Sequence, residues 1–381
     1  MRVAHFCFAL DAQMGGVPRG VFLLASHLQN HGIQNLIISF GNTQKQLARN
    51  SIEIENLIKN KVECIFSVAK FQNNYGIGSI KGIKHKLLNL AEPDLLVLHQ
   101  VYSFSTIIGY WYAKTKGIPY VVMPHGSLTN YHEADSTVIK TFAKWLIISR
   151  ILHNARSILV TSQLEKSDLI SSLRIKSLSI GYGTERQNSL NGLATELNNS
   201  IENTRIIFIG RFDKKKNLDL IFKAMPQILK IFPNLILDIA GNGTKKEVRR
   251  VEHIIATLGI GRNVEMHGWI GSEQIQELLA NSRLLILPSE NENFAIVVAE
   301  ALSAGIPCVV SKNVGLAEII QKNNAGEVIG ELNPNSIAEG ILKVLLGDRQ
   351  KLRSAAFRSA EISLDWSDIA NRWKALIASL S

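Results

Sequence analysis

The sequence lacks the signatures of several protein classes. No uninterrupted apolar stretch reaches 18 residues, so no transmembrane helix is expected. The apolar start, residues 1–10, is too short and wrongly flanked for a signal peptide and predicts a buried first strand. The cysteines Cys7, Cys64 and Cys308 lie in apolar runs without metal or redox spacing. We therefore expect them to be reduced core residues, in a cytoplasmic protein.

Motifs of nucleotide hydrolysis and metal catalysis are also missing. There is no Gly-Lys-Ser/Thr sequence, no Cys-x-x-Cys and no His-Glu-x-x-His. The glycines at 76, 78 and 82 follow a polar stretch instead of a strand, and their spacing is not that of a dinucleotide-binding turn. We predict no cofactor and no metal ion.

Charge is unevenly distributed along the chain. The net charge is +10, but residues 1–183 hold 19 basic and 10 acidic residues, whereas residues 184–381 hold 23 and 22. An excess of positive charge in one half indicates an anionic partner for that half. Nucleic acid is disfavoured because there is no Lys/Arg-rich tract with interleaved aromatics. An anionic membrane surface or a phosphate-bearing acceptor fits the diffuse basicity better, and a charge that serves only solubility is the alternative.

Short β-branched runs alternate with amphipathic stretches, which predicts an α/β fold with two doubly wound parallel sheets. Strands are expected at Val3–Leu10, Asn35–Ser39, Leu95–His99, Tyr120–Met123, Ser157–Thr161, Arg205–Gly210, Leu235–Ala240, Val264–His267, Arg283–Pro288 and Pro307–Ser311.

A polar, turn-rich stretch interrupts this rhythm and divides the chain. Residues 1–183 are predicted to form one Rossmann-like domain, residues 184–203 a linker, residues 204–364 a second such domain, and residues 365–381 a C-terminal helix. Two such domains are expected to bind ligands at the carboxyl ends of their strands, in the cleft where they face each other.

The segment Gly210–Asn217 reads Gly-Arg-Phe-Asp-Lys-Lys-Lys-Asn and follows a predicted strand. A strand-to-helix turn that carries Arg211 and Lys216 suits a phosphate, because backbone N–H groups at the helix start add to the side-chain charges. A solvated basic turn is the alternative. Gly241 follows the next strand and could line a nucleotide pocket or simply form a turn.

Two glutamates mark a second candidate segment. Glu292 precedes a predicted helix that starts at Ala295, and Glu300 lies within its apolar stretch. A carboxylate there needs a partner, and the paired hydroxyls of a sugar or a ribose would supply one. The alternative is an acidic residue favoured by the helix dipole and a core glutamate paired with a basic neighbour.

Two weaker signals lie in the first half. Gly15 and Gly16 follow the first strand, where paired glycines let the backbone approach a phosphate or simply form a turn. His125 follows the strand Tyr120–Met123 within Pro-His-Gly-Ser, a good position for a cleft, although a lone histidine is more often structural. His99, at the end of the neighbouring strand, is a weaker candidate.

In this order, the motifs resemble the retaining GT-B glycosyltransferases of family 4. The resemblance rests on the Gly-Gly turn, the Pro-His-Gly, the Gly-Arg-Phe-x₃-Lys and the Glu-x₇-Glu before Gly-x-Pro, and it covers nearly the whole chain. The Pro-His-Gly-Ser-Leu stretch resembles members that build bacterial surface polysaccharides, such as exopolysaccharide, capsule or lipopolysaccharide.

The resemblance implies a role for each motif. It places Arg211 and Lys216 at the donor diphosphate, Glu300 at the ribose and Glu292 at the donor sugar. Other implied donor contacts are Gly15, Gly16, Gly210, Gly241, Asn293, Phe294 and Ala295. His125 would lie beside the reacting sugar, and the helix of residues 365–381 would cross back to the first domain.

Two departures loosen the assignment of the sugar. Asn293 follows the first glutamate where the family often has glycine, and Gly181-Tyr182-Gly183 replaces a common Pro-Asn-Gly. The implied reaction transfers a hexose-type sugar with retention of configuration, and the two cations take the place of a metal. The acceptor would be a glycan or a polyprenyl-diphosphate-linked sugar, with peripheral attachment to the inner face of the membrane. A nucleotide-sugar epimerase or hydrolase and a catalytically silent nucleotide-sugar-binding subunit are the alternatives.

Overall fold

The computed structural model describes residues 1–8, 10–11, 16–42, 44–49, 51–68, 87, 90–128, 141–184 and 204–380. The chain divides into two compact units. Unit 1 comprises Met1–Tyr182 together with Trp366–Ser381, and unit 2 comprises Gly183–Asp365. Of the predicted linker, all but Thr184 lies outside the described residues, and Thr184 forms a parallel bridge with Asp365.

Unit 1 contains a seven-stranded parallel sheet in the order β3-β2-β1-β4-β5-β6-β7. The strands are β1 (Arg2–Phe8), β2 (Gln34–Asn42), β3 (Glu63–Val68), β4 (Leu95–His99), β5 (Tyr120–Met123), β6 (Ile158–Val160) and β7 (Ser177–Ser179). Its helices are α1 (Gly16–Asn30), α2 (Gln44–Arg49), α3 (Ser51–Lys59), α4 (Phe104–Lys116), α5 (Thr141–Asn154), α6 (Gln163–Asp168), α7 (Ser171–Arg174) and, from the end of the chain, Trp366–Leu380.

The C-terminal helix Trp366–Leu380 belongs to the core of unit 1. Trp366 stacks on His27 of α1 with ring centroids 4.2 Å apart, and Trp373 is fully buried with its ring edge-on to His5 of β1. Two buried tryptophans fix the helix, because burial of such large aromatic side chains dominates core energetics.

Unit 2 contains a six-stranded parallel sheet in the order β10-β9-β8-β11-β12-β13. The strands are β8 (Arg205–Ile209), β9 (Ile236–Ala240), β10 (Val264–Gly268), β11 (Leu285–Leu287), β12 (Cys308–Ser311) and β13 (Gly326–Ile329). The helices are α8 (Leu218–Leu229), α9 (Lys245–Thr257), α10 (Ser272–Ala280), α11 (Ile296–Ser303), α12 (Ala317–Asn323), α13 (Pro334–Leu346) and α14 (Arg349–Ser363), so that Trp366–Leu380 of unit 1 is α15.

The strand order locates a site in each unit. Parallel sheets covered on both faces have continuously apolar strands, and β4 and β12 are buried at every residue. The order reverses between β1 and β4 in unit 1 and between β8 and β11 in unit 2. Ligands of such sheets bind at this reversal, beyond the carboxyl ends of the strands.

The two predicted doubly wound sheets are confirmed, but several of their elements were not predicted. Among them are the strands β3, β7 and β13, each at or near a sheet edge, where polar residues interrupt the apolar run. The helix α14 was also not predicted, and its sequence is rich in arginine, serine and alanine and has few large apolar residues. In the described part of the chain, no helix is long and apolar enough to cross a membrane.

Candidate functional site

In unit 2, the two loops at the reversal point of the sheet are joined by hydrogen bonds. The loop after β8 continues into a short 3₁₀ turn, Lys214–Lys216, which Asn217 ends in a left-handed conformation. The Asn217 side-chain amide donates to the carbonyl of Pro288, 3.0 Å away in the loop after β11. The Glu290 N–H donates to the Lys215 carbonyl at 2.7 Å. The two predicted motifs therefore form one structure.

Gly210 and Gly241 lie side by side at the ends of β8 and β9. Gly241 has a φ of +144°, and a Cβ atom there would lie 1.9 Å from the Gly210 carbonyl oxygen. The Gly210 N–H donates to the Ala240 carbonyl at 2.9 Å. Glycine at position 241 is thus required by the approach of two backbones.

Lys216 and Glu292 form an ion pair at the centre of this site. The Lys216 Nζ lies 2.5 Å from the Glu292 Oε1, and the side chains are only 12% and 16% exposed. Glu292 is held by its backbone, since its N–H donates to Asn313 at 3.0 Å and its carbonyl accepts from Gly315 at 2.7 Å. A polar ligand that enters here meets one cation and one carboxylate at neighbouring positions.

Arg211 lies at a more open position of the same turn. Its Nη2 is 2.5 Å from the Asp213 carboxylate, and its side chain is 45% exposed. A second arginine, Arg250 of α9, donates to the Phe212 carbonyl at 3.1 Å and pairs with Asp219 at 3.5 Å. Arg250 was not predicted, and its hydrogen bond to the Phe212 carbonyl helps to hold the turn in place.

The loop after β11 ends at the start of α11. Phe294 and Ala295 are buried, and Ala295 adopts a left-handed conformation with φ +67°. This conformation is uncommon outside glycine and occurs often at functional sites. Asn293 is partly buried in this loop, and Glu300 lies in the second turn of α11. The backbone N–H groups at the start of the helix favour a negative charge nearby.

A separate polar cluster crosses β8, β9 and β10. The buried Asp238 carboxylate accepts from Arg205 at 2.8 and 2.5 Å and lies 2.6 Å from the His267 Nε2, while Arg205 also contacts Glu265 at 2.5 Å. Asp238, Glu265 and His267 have the spacing of metal ligands, but the Arg205 guanidinium already donates hydrogen bonds to both carboxylates. Arg205 also lowers the pKa of Glu265. Arg205 therefore supplies a hydrogen-bond partner to each of the two carboxylates.

In unit 1, a pocket of about 350 Å³ lies at the corresponding reversal point. Its lining includes Phe8 at the end of β1, Val17 of α1, Gln100 after β4, and Pro124 and His125 after β5. Among the described residues, a Cβ atom at Gly16 would meet no atom within 4 Å. Gly15 lies outside the described residues.

His125 is bonded to a row of buried imidazoles. Its Nε2 is 2.8 Å from the Nδ1 of His99, whose Nε2 is 2.9 Å from the Nδ1 of His5. Burial lowers the pKa of His125 and of His5 to about 4, and the pKa of His99 falls well below the usual range, through burial and its two histidine neighbours. His125 is therefore a neutral imidazole at neutral pH.

Glu165 holds the turn that carries His125, and sequence reasoning missed it. It is buried and accepts from the Gly126 N–H at 2.7 Å, from the Thr161 N–H at 2.8 Å and from the Thr161 hydroxyl at 2.8 Å. Burial raises the pKa of Glu165, against the effect of these hydrogen bonds. The Ser162-x-x-Glu165 spacing at a helix start was the available signal.

Comparison with known families places both halves of the chain. The family described as Glycosyl transferases group 1 matches residues 195–360. The family described as Glycosyltransferase Family 4 matches residues 14–180. Together the two matches cover most of the chain, and each match contains the motifs on which the resemblance rests.

Individual relatives match part of the chain. An uncharacterised glycosyltransferase of Methanocaldococcus jannaschii is 34% identical over 43% of this chain and 42% of its own length. The sulfoquinovosyl transferase of Arabidopsis thaliana is 26% identical over 44% of this chain and 32% of its own length. The chain thus spans less than half the length of these two curated relatives.

Solved structures match the whole chain. The sucrose-phosphate synthase of Thermosynechococcus elongatus has a TM-score of 0.77 at 18% identity, and the match covers 100% of this chain and 98% of that one. Anabaena HepE, solved in complex with UDP and glucose, has a TM-score of 0.75 at 17% identity, and the match covers all of both chains. At such identities the likeness shows the fold.

Two doubly wound parallel sheets, each with its reversal point open to a candidate site, together with these neighbours define the class as GT-B proteins. The chain belongs to the glycosyltransferases of the family 4 type, and the predicted family and fold are confirmed.

Proposed function

We propose that this protein transfers a hexose-type sugar from a nucleotide-sugar donor to a glycan or lipid-linked acceptor, with retention of the anomeric configuration. The observation that carries the proposal is the mostly buried Lys216–Glu292 pair at the reversal point of unit 2, with Arg211 on the same turn. A nucleotide sugar carries an anionic diphosphate next to a polyhydroxylated ring, and this pair offers a partner to each.

The proposed reaction needs no protein nucleophile. Arg211 and Lys216 stabilise the diphosphate as its bond to the anomeric carbon breaks, since charge develops on that leaving group. The leaving diphosphate accepts the proton of the acceptor hydroxyl, which attacks from the same face. Glu292 binds sugar hydroxyls, Glu300 binds the ribose, and the neutral His125 contacts the transferred sugar. In this proposal, Arg211 and Lys216 take the place of a metal ion at the diphosphate.

The nucleotide is best sought among uridine sugars first. Anabaena HepE has been solved with UDP and glucose, and Staphylococcus aureus TarM with UDP, and both share the fold of this chain. A thermal-shift screen against UDP-, GDP-, ADP- and dTDP-sugars tests this, because a ligand that binds only the folded state raises its apparent stability. If no nucleotide sugar shifts the melting temperature, the donor proposal fails.

The product distinguishes transfer from the alternatives. With a binding donor and a glycan acceptor, we expect a glycoside whose anomeric configuration, read by proton NMR, equals that of the donor. Turnover of the donor without an acceptor would instead indicate an epimerase or a hydrolase. Binding without any turnover would indicate a nucleotide-sugar-binding subunit.

The acceptor proposal rests on the charge of the first half. Residues 1–183 carry an excess of nine positive charges. An acceptor attached to polyprenyl diphosphate is anionic and lies at a membrane, and basic residues near an anionic bilayer contribute about 1 kcal/mol each. We therefore propose peripheral attachment to the cytoplasmic face of the membrane and a role in bacterial surface-polysaccharide synthesis.

A further inference from the structure

An asparagine and three histidines form a continuous hydrogen-bonded chain across unit 1. Asn35 of β2 contacts His5 of β1, His5 contacts His99 at the end of β4, and His99 contacts His125 after β5. The three nitrogen–oxygen and nitrogen–nitrogen distances are 2.9, 2.9 and 2.8 Å. The parallel sheet places Asn35, His5 and His99 on neighbouring strands and His125 just after the next strand, so the chain runs across the sheet from the buried Asn35 to the pocket.

The direction of the chain is fixed at its buried end. The Asn35 Nδ2 lies 2.6 Å from the Ile33 carbonyl oxygen, which can only accept. The opposite amide orientation would place two oxygens at that distance. The Asn35 Oδ1 therefore faces His5, and the His5 Nε2 must carry the proton in that contact.

The tautomers of His99 and His125 follow from that of His5. A neutral imidazole has one donor and one acceptor nitrogen. Because the His5 Nε2 donates, its Nδ1 accepts, so the Nε2 of His99 must donate. The Nδ1 of His99 then accepts from the Nε2 of His125. All three rings are consequently Nε2–H tautomers, and the Nδ1 of His125 is left as an acceptor.

The pocket end of the chain is suited to a ligand hydroxyl. His125 lines the pocket, and within the described residues its Nδ1 makes no hydrogen bond. Its backbone has φ +51°, and Glu165 holds the following residue, Gly126, at 2.7 Å. The ring is therefore fixed in place as well as in tautomer.

We propose that Asn35, acting through His5 and His99, is a positioning residue that sets the tautomer of His125, so that the Nδ1 of His125 accepts a hydrogen bond from a hydroxyl of the bound sugar. The identity of that ligand rests on the proposed function. The order of protons along the chain does not, because it follows from the contacts and from the neutrality of the three rings.

The tautomers can be read directly in the intact protein. A long-range ¹H–¹⁵N spectrum of protein labelled at the imidazole nitrogens, recorded at neutral pH, distinguishes a protonated nitrogen from a bare one. We expect a protonated Nε2 and a bare Nδ1 for His5, His99 and His125. A protonated Nδ1 on any of these three rings overturns the proposal, and this measurement needs no variant.

Transmission along the chain is tested by Asn35→Leu. The substitution removes the acceptor at the buried end, three hydrogen bonds from the His125 ring, and we expect the two His125 nitrogen signals to move towards each other as tautomers mix. The matched control is Asn42→Leu, another buried asparagine of β2, whose side chain bonds Ser39 and the Leu10 N–H instead. It should leave the His125 signals unchanged. Wild-type His125 signals in Asn35→Leu would overturn the proposal.

Kinetics separate this inference from the proposed function. Mixed tautomers at His125 should lower kcat/KM for transfer by roughly 3- to 10-fold, the size of one neutral hydrogen bond. If the spectra are as expected but Asn35→Leu keeps the wild-type kcat/KM, the chain stands and the proposed contact of His125 with the sugar fails.

Discussion

The Lys216 ammonium and the Glu292 carboxylate, which the family resemblance assigns to the donor diphosphate and to the donor sugar, contact each other at 2.5 Å. Both side chains are mostly buried, so each is the other's source of charge balance. A donor that binds here brings a diphosphate that competes with Glu292 for Lys216, and hydroxyls that compete with Lys216 for Glu292. Binding should thus rearrange this pair, because a partly buried carboxylate needs a new partner when it loses its first.

Loss of either proposed diphosphate ligand should impair the reaction. We expect Lys216→Ala and Arg211→Ala each to lower kcat/KM at least about 100-fold, since removal of one preorganised partner of transition-state charge costs about 2.7–4 kcal/mol. Steady-state kinetics with the donor found in the thermal-shift screen measure this. Lys214→Ala and Lys215→Ala are the matched controls on the same turn and should have smaller effects. Equal losses at all three lysines would indicate a diffuse basic patch.

The two glutamates should separate nucleotide recognition from sugar recognition. We expect Glu300→Gln to weaken binding of the free nucleoside diphosphate, because it removes the proposed partner of the ribose. Glu292→Gln should leave that affinity near wild type and weaken binding of the sugar nucleotide. Isothermal titration calorimetry with both ligands tests each variant. Wild-type affinities for both ligands in both variants would contradict the assignment.

Gly241 should be required for the fold of unit 2. In Gly241→Ala the new Cβ would lie 1.9 Å from the Gly210 carbonyl oxygen, at a φ of +144°. The free energy of unfolding should fall by about 3 kcal/mol or more, as expected for a steric and backbone conflict. Gly261→Ala is the control, because a Cβ there meets no atom of the described part of the chain within 4 Å. Urea unfolding of both variants tests this, and equal unfolding midpoints for the two would contradict the prediction.

The buried histidines should make unit 1 sensitive to mild acid. The folded pKa of His5 and of His125 is lowered to about 4, below the unfolded value of about 6.5, so the unfolded chain binds more protons below that value. Their stabilisation is complete above about pH 6.5 and is lost as the pH falls towards 4. The loss is on the order of 1 kcal/mol per pH unit for each ring.

Urea unfolding at pH 7.5 and pH 5.5 measures this loss. The difference between the two pH values should be smaller in His5→Leu than in wild type, because one ring no longer gains a proton on unfolding. His153→Gln, at an exposed position of α5, is the control and should keep the wild-type difference. The same pH dependence in wild type and His5→Leu would show that other groups cause it.

Membrane attachment predicts salt-sensitive binding to anionic vesicles. We expect the protein to co-sediment with vesicles that contain acidic phospholipid at low salt and to be released at high salt, since exposed charges are screened beyond about a Debye length. Vesicles of neutral lipid are the control. A candidate surface for this attachment is the sequence 80–90, which carries Lys81, Lys84 and Lys86; those lysines lie outside the described residues. No binding at low salt, with full activity on a soluble acceptor, would exclude this attachment.

The sequence predicted the parts of the fold that are locally encoded. The strands Leu95–His99 and Tyr120–Met123 occur at the predicted residues, because each is a short apolar run with a clear end. The strand β7 and the helix α14 were missed, because their stability comes from neighbours in space and not from an apolar pattern along the chain.

For the candidate site, the sequence named residues but not their partners. Arg211, Lys216 and Glu292 were identified from type and spacing, and the pairing of Lys216 with Glu292 depends on two loops 76 positions apart in sequence. Asn35 and His5 could not be found this way, because an asparagine and a histidine on apolar strands look like ordinary core residues. Only the register of β1, β2 and β4 brings them together.

The position of α15 has a consequence for how the protein is made. Unit 2 is one continuous stretch of chain, whereas unit 1 needs Trp366 and Trp373 from the far end of the sequence. During synthesis, the first unit to begin is therefore the last to be completed, and until then His5 and His27 lack the aromatic rings that cover them. A nascent chain that stops at Asp365 contains all of unit 2 but lacks the helix α15 of unit 1. The core of unit 1 is then incomplete, and we expect chaperones and proteases to recognise it.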